Sequence, residues 1–203
     1  MRLTLTASLL VLTLSFHAPS SIAEQRWIGA VDSDLLAGTA WHHRALEHGL
    51  DPWLLYAITL EESNHYDPRT RKLYPWRWVI HHNYELTYHE NEADARAHID
   101  YLESQGIRNY DIGPLQINRH WHGDKVEDLY ELLTIHRSVD IAARLLAENR
   151  SLTPDDKSVW VGRYRSWQPK LAQAYAKRIF HIRKQLPQGE RYAGYGEPLW
   201  VRR

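Results

Sequence analysis

The chain has 203 residues, with 25 Lys+Arg against 25 Asp+Glu, 13 His and no Cys. That length holds one globular domain or a domain with a tail, and 9 Trp with 12 Tyr carry too much large amphipathic surface for a solvated, disordered chain. The lack of cysteine excludes a disulfide scaffold and a thiolate metal site, and a formal net charge of zero provides no basic excess for general binding of nucleic acid.

In chain order, Met1-Arg2 is a short positive start, residues 3–16 form an uncharged apolar run, and Ser21-Ile22-Ala23 offers small residues before Glu24. Residues 1–23 read as a secretory signal peptide. The apolar run is shorter than the roughly 20 residues a spanning helix needs, and no later segment is apolar enough, so the mature protein is expected to be exported, soluble and without a membrane span. Residues 33–49 carry Leu35, Leu36, Ala40, Trp41 and Leu46 at helical spacing, with Gly49 placed as a stop. Asp51-Pro52 marks a second start, an Asp cap followed by proline at the first helical position, and residues 53–62 stay apolar until the last turn. That helix ends in Glu61-Glu62-Ser63, although acids at a helix C-terminus oppose its dipole.

Residues 64–91 break the pattern with Pro68 and Pro75, and alternation over 83–89 predicts a short hairpin. A helix is expected over 92–103, ended by Gly106, and residues 111–118 look like a tight turn leading into a short buried element. Further helices are predicted at about 126–133, 138–149, 154–164 and 168–185. Pro187, Gly189, Gly194, Gly196 and Pro198 among charges and aromatics suit an extended tail. The sum is a mainly helical α+β domain over 24–185 with a small β or irregular insert, followed by a tail over 186–203.

Glu62 is the first chemical candidate. A carboxyl at the end of an apolar helix is partly desolvated, which raises its pKa and keeps it protonated for donation to a leaving group. Read alone, it is better taken as a solvated carboxylate at a fraying helix end. Glu61 is offset by one helical position and cannot share its face. Asp111 precedes a turn in which Gly113 permits close backbone approach, while Gln116 and Asn118 flank an apolar position with amides able to bond sugar amide and hydroxyl groups. Tyr74, Trp76, Trp78, Tyr84 and Tyr88 are a possible aromatic lining for a carbohydrate groove. The histidine pairs His42-His43, His81-His82 and His120-x-His122 lack the i, i+4 spacing of a zinc hydrolase helix, so no metal is expected. There is no Gly-rich phosphate loop and no Gly-x-Ser-x-Gly elbow.

Taken in order, Gly49-Leu50-Asp51-Pro52, Ile58-Thr59-Leu60-Glu61-Glu62-Ser63, Asp111-Ile112-Gly113-Pro114-Leu115-Gln116-Ile117-Asn118 and Gly162-Arg163-Tyr164-Arg165-Ser166-Trp167 resemble the signatures of the soluble lytic transglycosylases, over about residues 32–182. Tyr74-Pro75-Trp76 and the helix over 92–106 are similar to the branch that accompanies type IV secretion, conjugation and pilus machines. The resemblance implies a lysozyme-like fold and a catalytic acid/base at Glu62, with Ser63 helping to position the site. It further implies Gln116 and Asn118 along the sugar groove, and Tyr164 orienting the acid or an acetamido group. Pro114 departs from the usual leucine and removes a backbone N–H from the turn.

The implied substrate is peptidoglycan, cleaved without cofactor or metal at the β-1,4 bond from N-acetylmuramic acid to N-acetylglucosamine, with closure of a 1,6-anhydro ring. The implied setting is the periplasm of a double-membrane bacterium, with components of such a machine as partners. The segment at 110–118 is also similar to the loop of c-type lysozymes, which would make Asp111 a second catalytic carboxylate in a hydrolase. A non-catalytic wall-binding scaffold is the third reading.

Overall fold

A computed structural model describes residues 36, 38–68 and 71–186 of the chain. The expected signal peptide and residues 187–203 of the expected tail lie outside these, whereas Leu186 is fully buried in the core.

Helix α1, Ala40–Glu47, starts later than the spacing predicts because Thr39 caps it, its side chain accepting from the His42 N–H. Helix α2, Pro52–Ser63, begins as its sequence dictates: the Asp51 carboxylate accepts from the Trp53 N–H at 2.9 Å and Pro52 sits in the first turn. Every residue from Leu54 to Leu60 is buried. A helix apolar all round must be wrapped by others, and each Leu or Ile so enclosed contributes roughly 2 kcal/mol over an exposed one. Thr59, within that run, accepts from the Trp41 indole at 2.8 Å and donates to the Leu55 carbonyl.

After α2 the chain turns into extended structure. Strands β1 (Asn64–Asp67) and β2 (Lys72–Pro75) pair antiparallel. Strands β3 (Val79–His82) and β4 (Glu85–Tyr88) form a hairpin that starts before the expected range of 83–89, turning at Asn83 and Tyr84, which both have positive φ. Its first strand escapes the alternation rule because Val79 and Ile80 are both fully buried. Helix α3, Glu92–Ser104, follows the Asn91 cap. The turn expected at 111–118 is a small hairpin of β5 (Asp111–Ile112) and β6 (Ile117–Asn118), and the sheet order is β4-β3-β5-β6.

Helix α4, Arg119–His122, comes next. The helix expected over 126–133 is only a 3₁₀ turn, Leu129–Leu133, because Asp128 and Glu131 form a capping box that starts it late and Thr134 turns extended to cap the next helix. That next helix is α5, Ile135–Leu152. Helices α6 (Lys157–Gly162) and α7 (Pro169–Gln185) touch at backbone distance, since a Cβ on Gly162 would fall 2.4 Å from the Ala172 carbonyl oxygen. The helices α1, α5 and α7 pack around α2, giving a mainly helical α+β architecture. No helix among the described residues is long and apolar enough to cross a membrane.

Candidate active site

Five pieces of chain converge where α2 ends: Glu62 itself, the β5–β6 hairpin, α4 through Trp121 and His122, α5 through Leu145, and the loop between α6 and α7. They enclose an open cleft of about 530 Å³. A smaller space of about 220 Å³ adjoins it and shares Glu62, Gln116 and Arg165.

Tyr175 of α7 donates to Glu62 Oε1 at 2.5 Å. Burial pushes the Glu62 carboxyl up to about 7, and the negative charges of Asp111 and Glu61 act in the same direction, while the Tyr175 bond and the Arg165 cation pull it back. Glu62 therefore keeps a protonated fraction far above that of an ordinary carboxyl near neutral pH, and the groups that favour the ionised form are already in place for when the proton leaves. The Tyr175 and Tyr164 hydroxyls are held well above the ordinary tyrosine value, chiefly by burial, so both serve as donors. Glu61 instead pairs with Arg178 of α7, in keeping with its offset on the helix.

The β5–β6 turn is built on a glycine. Gly113 has φ +75°, and a Cβ there would lie 1.9 Å from the Leu132 carbonyl oxygen. The neighbouring Pro114 needs no N–H, because the turn closes through the Gln116 N–H on the Gly113 carbonyl at 3.0 Å. Gln116 also folds its Nε2 back onto that carbonyl at 2.7 Å, leaving its amide oxygen for the cleft it lines.

Three of the expected site residues are bonded within the fold. Ser63 is fully buried and its hydroxyl donates to the Thr59 carbonyl at 3.0 Å, so it takes no part in the cleft and instead ties off the last turn of α2. Asn118 lines the cleft with both ends of its amide committed. Nδ2 donates to Asp111 Oδ1 at 2.7 Å, and Oδ1 accepts from the His120 and Trp121 N–H groups to cap α4. Tyr164 donates to the Leu115 carbonyl at 2.7 Å and stacks on Tyr175, with centroids 6.4 Å apart; the tyrosine that holds the acid is Tyr175.

Asp111 lies in the cleft as the lysozyme-type reading requires, yet both its oxygens are engaged. One takes the Asn118 amide, and the other meets His81 Nδ1 at 3.1 Å, from the residue directly across the β3–β5 pairing. The aromatic set is also redistributed. Trp76 packs with His65 and Trp78, Tyr88 packs with His65, and Tyr74, Trp76, Trp78 and Tyr88 do not line the cleft, whereas Tyr84 lines the smaller space. The aromatics that line the main cleft are Tyr164, Trp121 and Trp167. Among the described residues no three His, Asp or Glu side chains are grouped to hold a metal ion.

Sequence reasoning missed Tyr175, Arg165 and His81 as members of the site. Tyr175 sits in the apolar stripe of Ala172, Ala176, Ile179 and Ile182, where it reads as core, and nothing local marks its hydroxyl. The arrangement is that of a half-buried acid in an open cleft, positioned by a phenol and bordered by a guanidinium. Compared with protein-family models, curated proteins and solved structures, the chain finds no match.

Proposed function

We propose that this protein is a peptidoglycan lytic transglycosylase, with Glu62 as its acid/base. The observation that carries the reading is the setting of Glu62, a carboxyl raised to about 7 chiefly by burial and held by Tyr175 in an open cleft whose other carboxylate, Asp111, already has both oxygens hydrogen-bonded. The ordered signatures that resemble the soluble lytic transglycosylases support it, and a lysozyme-like disposition of helices about the small sheet is part of the same proposal.

In this mechanism Glu62 gives its proton to the glycosidic oxygen between N-acetylmuramic acid and N-acetylglucosamine, and the glycosidic bond breaks as the muramic acetamido group supports the positive charge at C1. Glu62, now a carboxylate steadied by the Tyr175 O–H and the Arg165 cation, takes the proton from the muramic C6 hydroxyl as that oxygen closes on C1. Glu62 regains its proton, the sugar becomes a 1,6-anhydro ring, and no water is consumed. One protein carboxylate suffices because the substrate supplies both the internal support and the attacking oxygen at high effective concentration.

The presence of Asp111 in the same cleft favours a second reading, a muramidase in which a water attacks instead. Its engagement with Asn118 and His81 argues for a role in shaping the wall of the cleft. The signal-like residues 1–23 support export to a periplasm. Local opening of the wall for an envelope-spanning secretion, conjugation or pilus machine is the cellular role that the branch resemblance suggests. The test is release of soluble muropeptides from isolated peptidoglycan: the protein should release them, and Glu62→Gln should release none. Equal release by the two proteins would remove Glu62 from the chemistry.

A further inference from the structure

Among the described residues, two of the most exposed large side chains, Trp121 at 69% and Trp167 at 64%, line the same cleft as Glu62. Single exposed apolar residues are ordinary on a protein surface, but two tryptophans lining the cleft of a half-buried acid leave large flat apolar faces where a substrate must pass. Trp121 is carried by α4, whose cap is Asn118, and is braced edge-on by the His120 ring at 4.6 Å. Trp167 is braced by Arg163, whose guanidinium lies 4.5 Å from its ring centre. Each indole is thus oriented by a neighbour.

The second observation is what lies beyond Trp167. A further cavity of about 580 Å³ opens between α6 and α7, and it shares Arg163 and Trp167 with the main cleft. Its other walls include Asp156, Lys170 and Gln173. Each of the two large cavities is of a size that takes a ligand of several rings. The smaller space shares Glu62 with the main cleft and shares no residue with the α6–α7 cavity, so the main cleft has walls in common with a separate hollow at Glu62 and another at Trp167.

We propose that Trp121 and Trp167 are stacking platforms for sugar rings of a long glycan, and that the strand continues past Trp167 into the α6–α7 cavity, so the protein grips an internal stretch of the strand. This rests on the glycan-cleaving reading above and deepens it. The C–H faces of pyranose rings are apolar and match the indole faces, while hydroxyl and acetamido groups meet the polar walls between the platforms. Arg163, already stacked on Trp167, presents N–H donors to the part of the strand that crosses from one cavity to the next.

The test uses the purified protein carrying Glu62→Gln, so that bound glycan is not cut, titrated with N-acetylglucosamine oligomers of two and of six sugars and followed by calorimetry. The six-sugar oligomer should bind more tightly than the two-sugar one. Trp121→Ala and Trp167→Ala should each weaken six-sugar binding about 3- to 10-fold, whereas Trp167→Phe, which keeps a ring, should recover most of the loss. Six-sugar affinity unchanged in both alanine variants, or equal affinity for the two lengths, overturns the proposal while leaving the glycan reading intact. No binding of either oligomer, together with no Glu62-dependent release of muropeptides, overturns both; no oligomer binding with that release intact overturns the platforms alone.

Discussion

Replacing Glu62 with Gln should stabilise the protein at alkaline pH, even as it removes the proposed acid. In the folded chain the carboxyl sits at about 7, against an ordinary value of 4.5, and burial is the leading cause. Below pH 4.5 Glu62 is protonated in both folded and unfolded chains, and its contribution is present in full. Between 4.5 and 7 the unfolded chain gives up the proton first, so stability declines as pH rises through that window, and above 7 the folded protein carries a buried charge. At about 1.4 kcal/mol per pH unit the gap corresponds to about 3 kcal/mol, and the residue's partial opening to the cleft brings the expected size down to about 2 kcal/mol. Gln keeps the shape and an oxygen for the Tyr175 hydroxyl without the charge. Urea unfolding of both proteins at pH 4.5 and pH 8 measures the difference directly. The Gln variant should gain about 2 kcal/mol on the parent between the two pH values, or about 4–8 °C in Tm at the higher one. A difference between the proteins that does not change with pH would mean that Glu62 is not desolvated, and the basis for its acid role would fall.

Three other outcomes follow from the same geometry. Tyr175→Phe removes a donor that favours the ionised form of Glu62, so the alkaline fall in kcat/KM should move to higher pH; a pH–rate profile with an unmoved limb would deny the bond a part in tuning the acid. Gly113→Ala places a methyl 1.9 Å from the Leu132 carbonyl oxygen at a positive φ, which should cost about 3 kcal/mol or more in thermal or urea unfolding. Asp111→Ala should lower muropeptide release by far less than Glu62→Gln does, as measured on the same peptidoglycan; an equal loss would favour the two-carboxylate reading.

How much was legible in the sequence depended on how local each determinant is. Helix α2 was readable because its start is decided by adjacent residues, Asp51 and Pro52, and its burial by an unbroken apolar run. The β5–β6 turn was readable through Gly113, whose backbone requirement is its own. The Tyr175–Glu62 bond joins residues 113 apart in the chain, and no spacing rule reaches that far. The bonding of Ser63, which lies away from the cleft, and of Asn118, which lines it as expected, is unreadable locally for a related reason. Whether a short polar side chain faces a ligand or satisfies the backbone is decided by which donors and acceptors the fold brings within reach, and here those were the His120 and Trp121 N–H groups and the Thr59 carbonyl. The helix expected over 126–133 failed because apolar spacing predicted a continuous segment where Asp128 and Thr134, each capping a new start, divide the chain.

Mass analysis of the muramic ends released from isolated peptidoglycan, with Glu62→Gln run alongside, bears most directly on the single-acid mechanism. Ends lighter by one water than hydrolysed ends, and absent from the variant digest, are the predicted result, because the C6 hydroxyl of the sugar closes the ring and no water enters. Reducing muramic ends in a Glu62-dependent digest would contradict it and transfer the second catalytic role to Asp111.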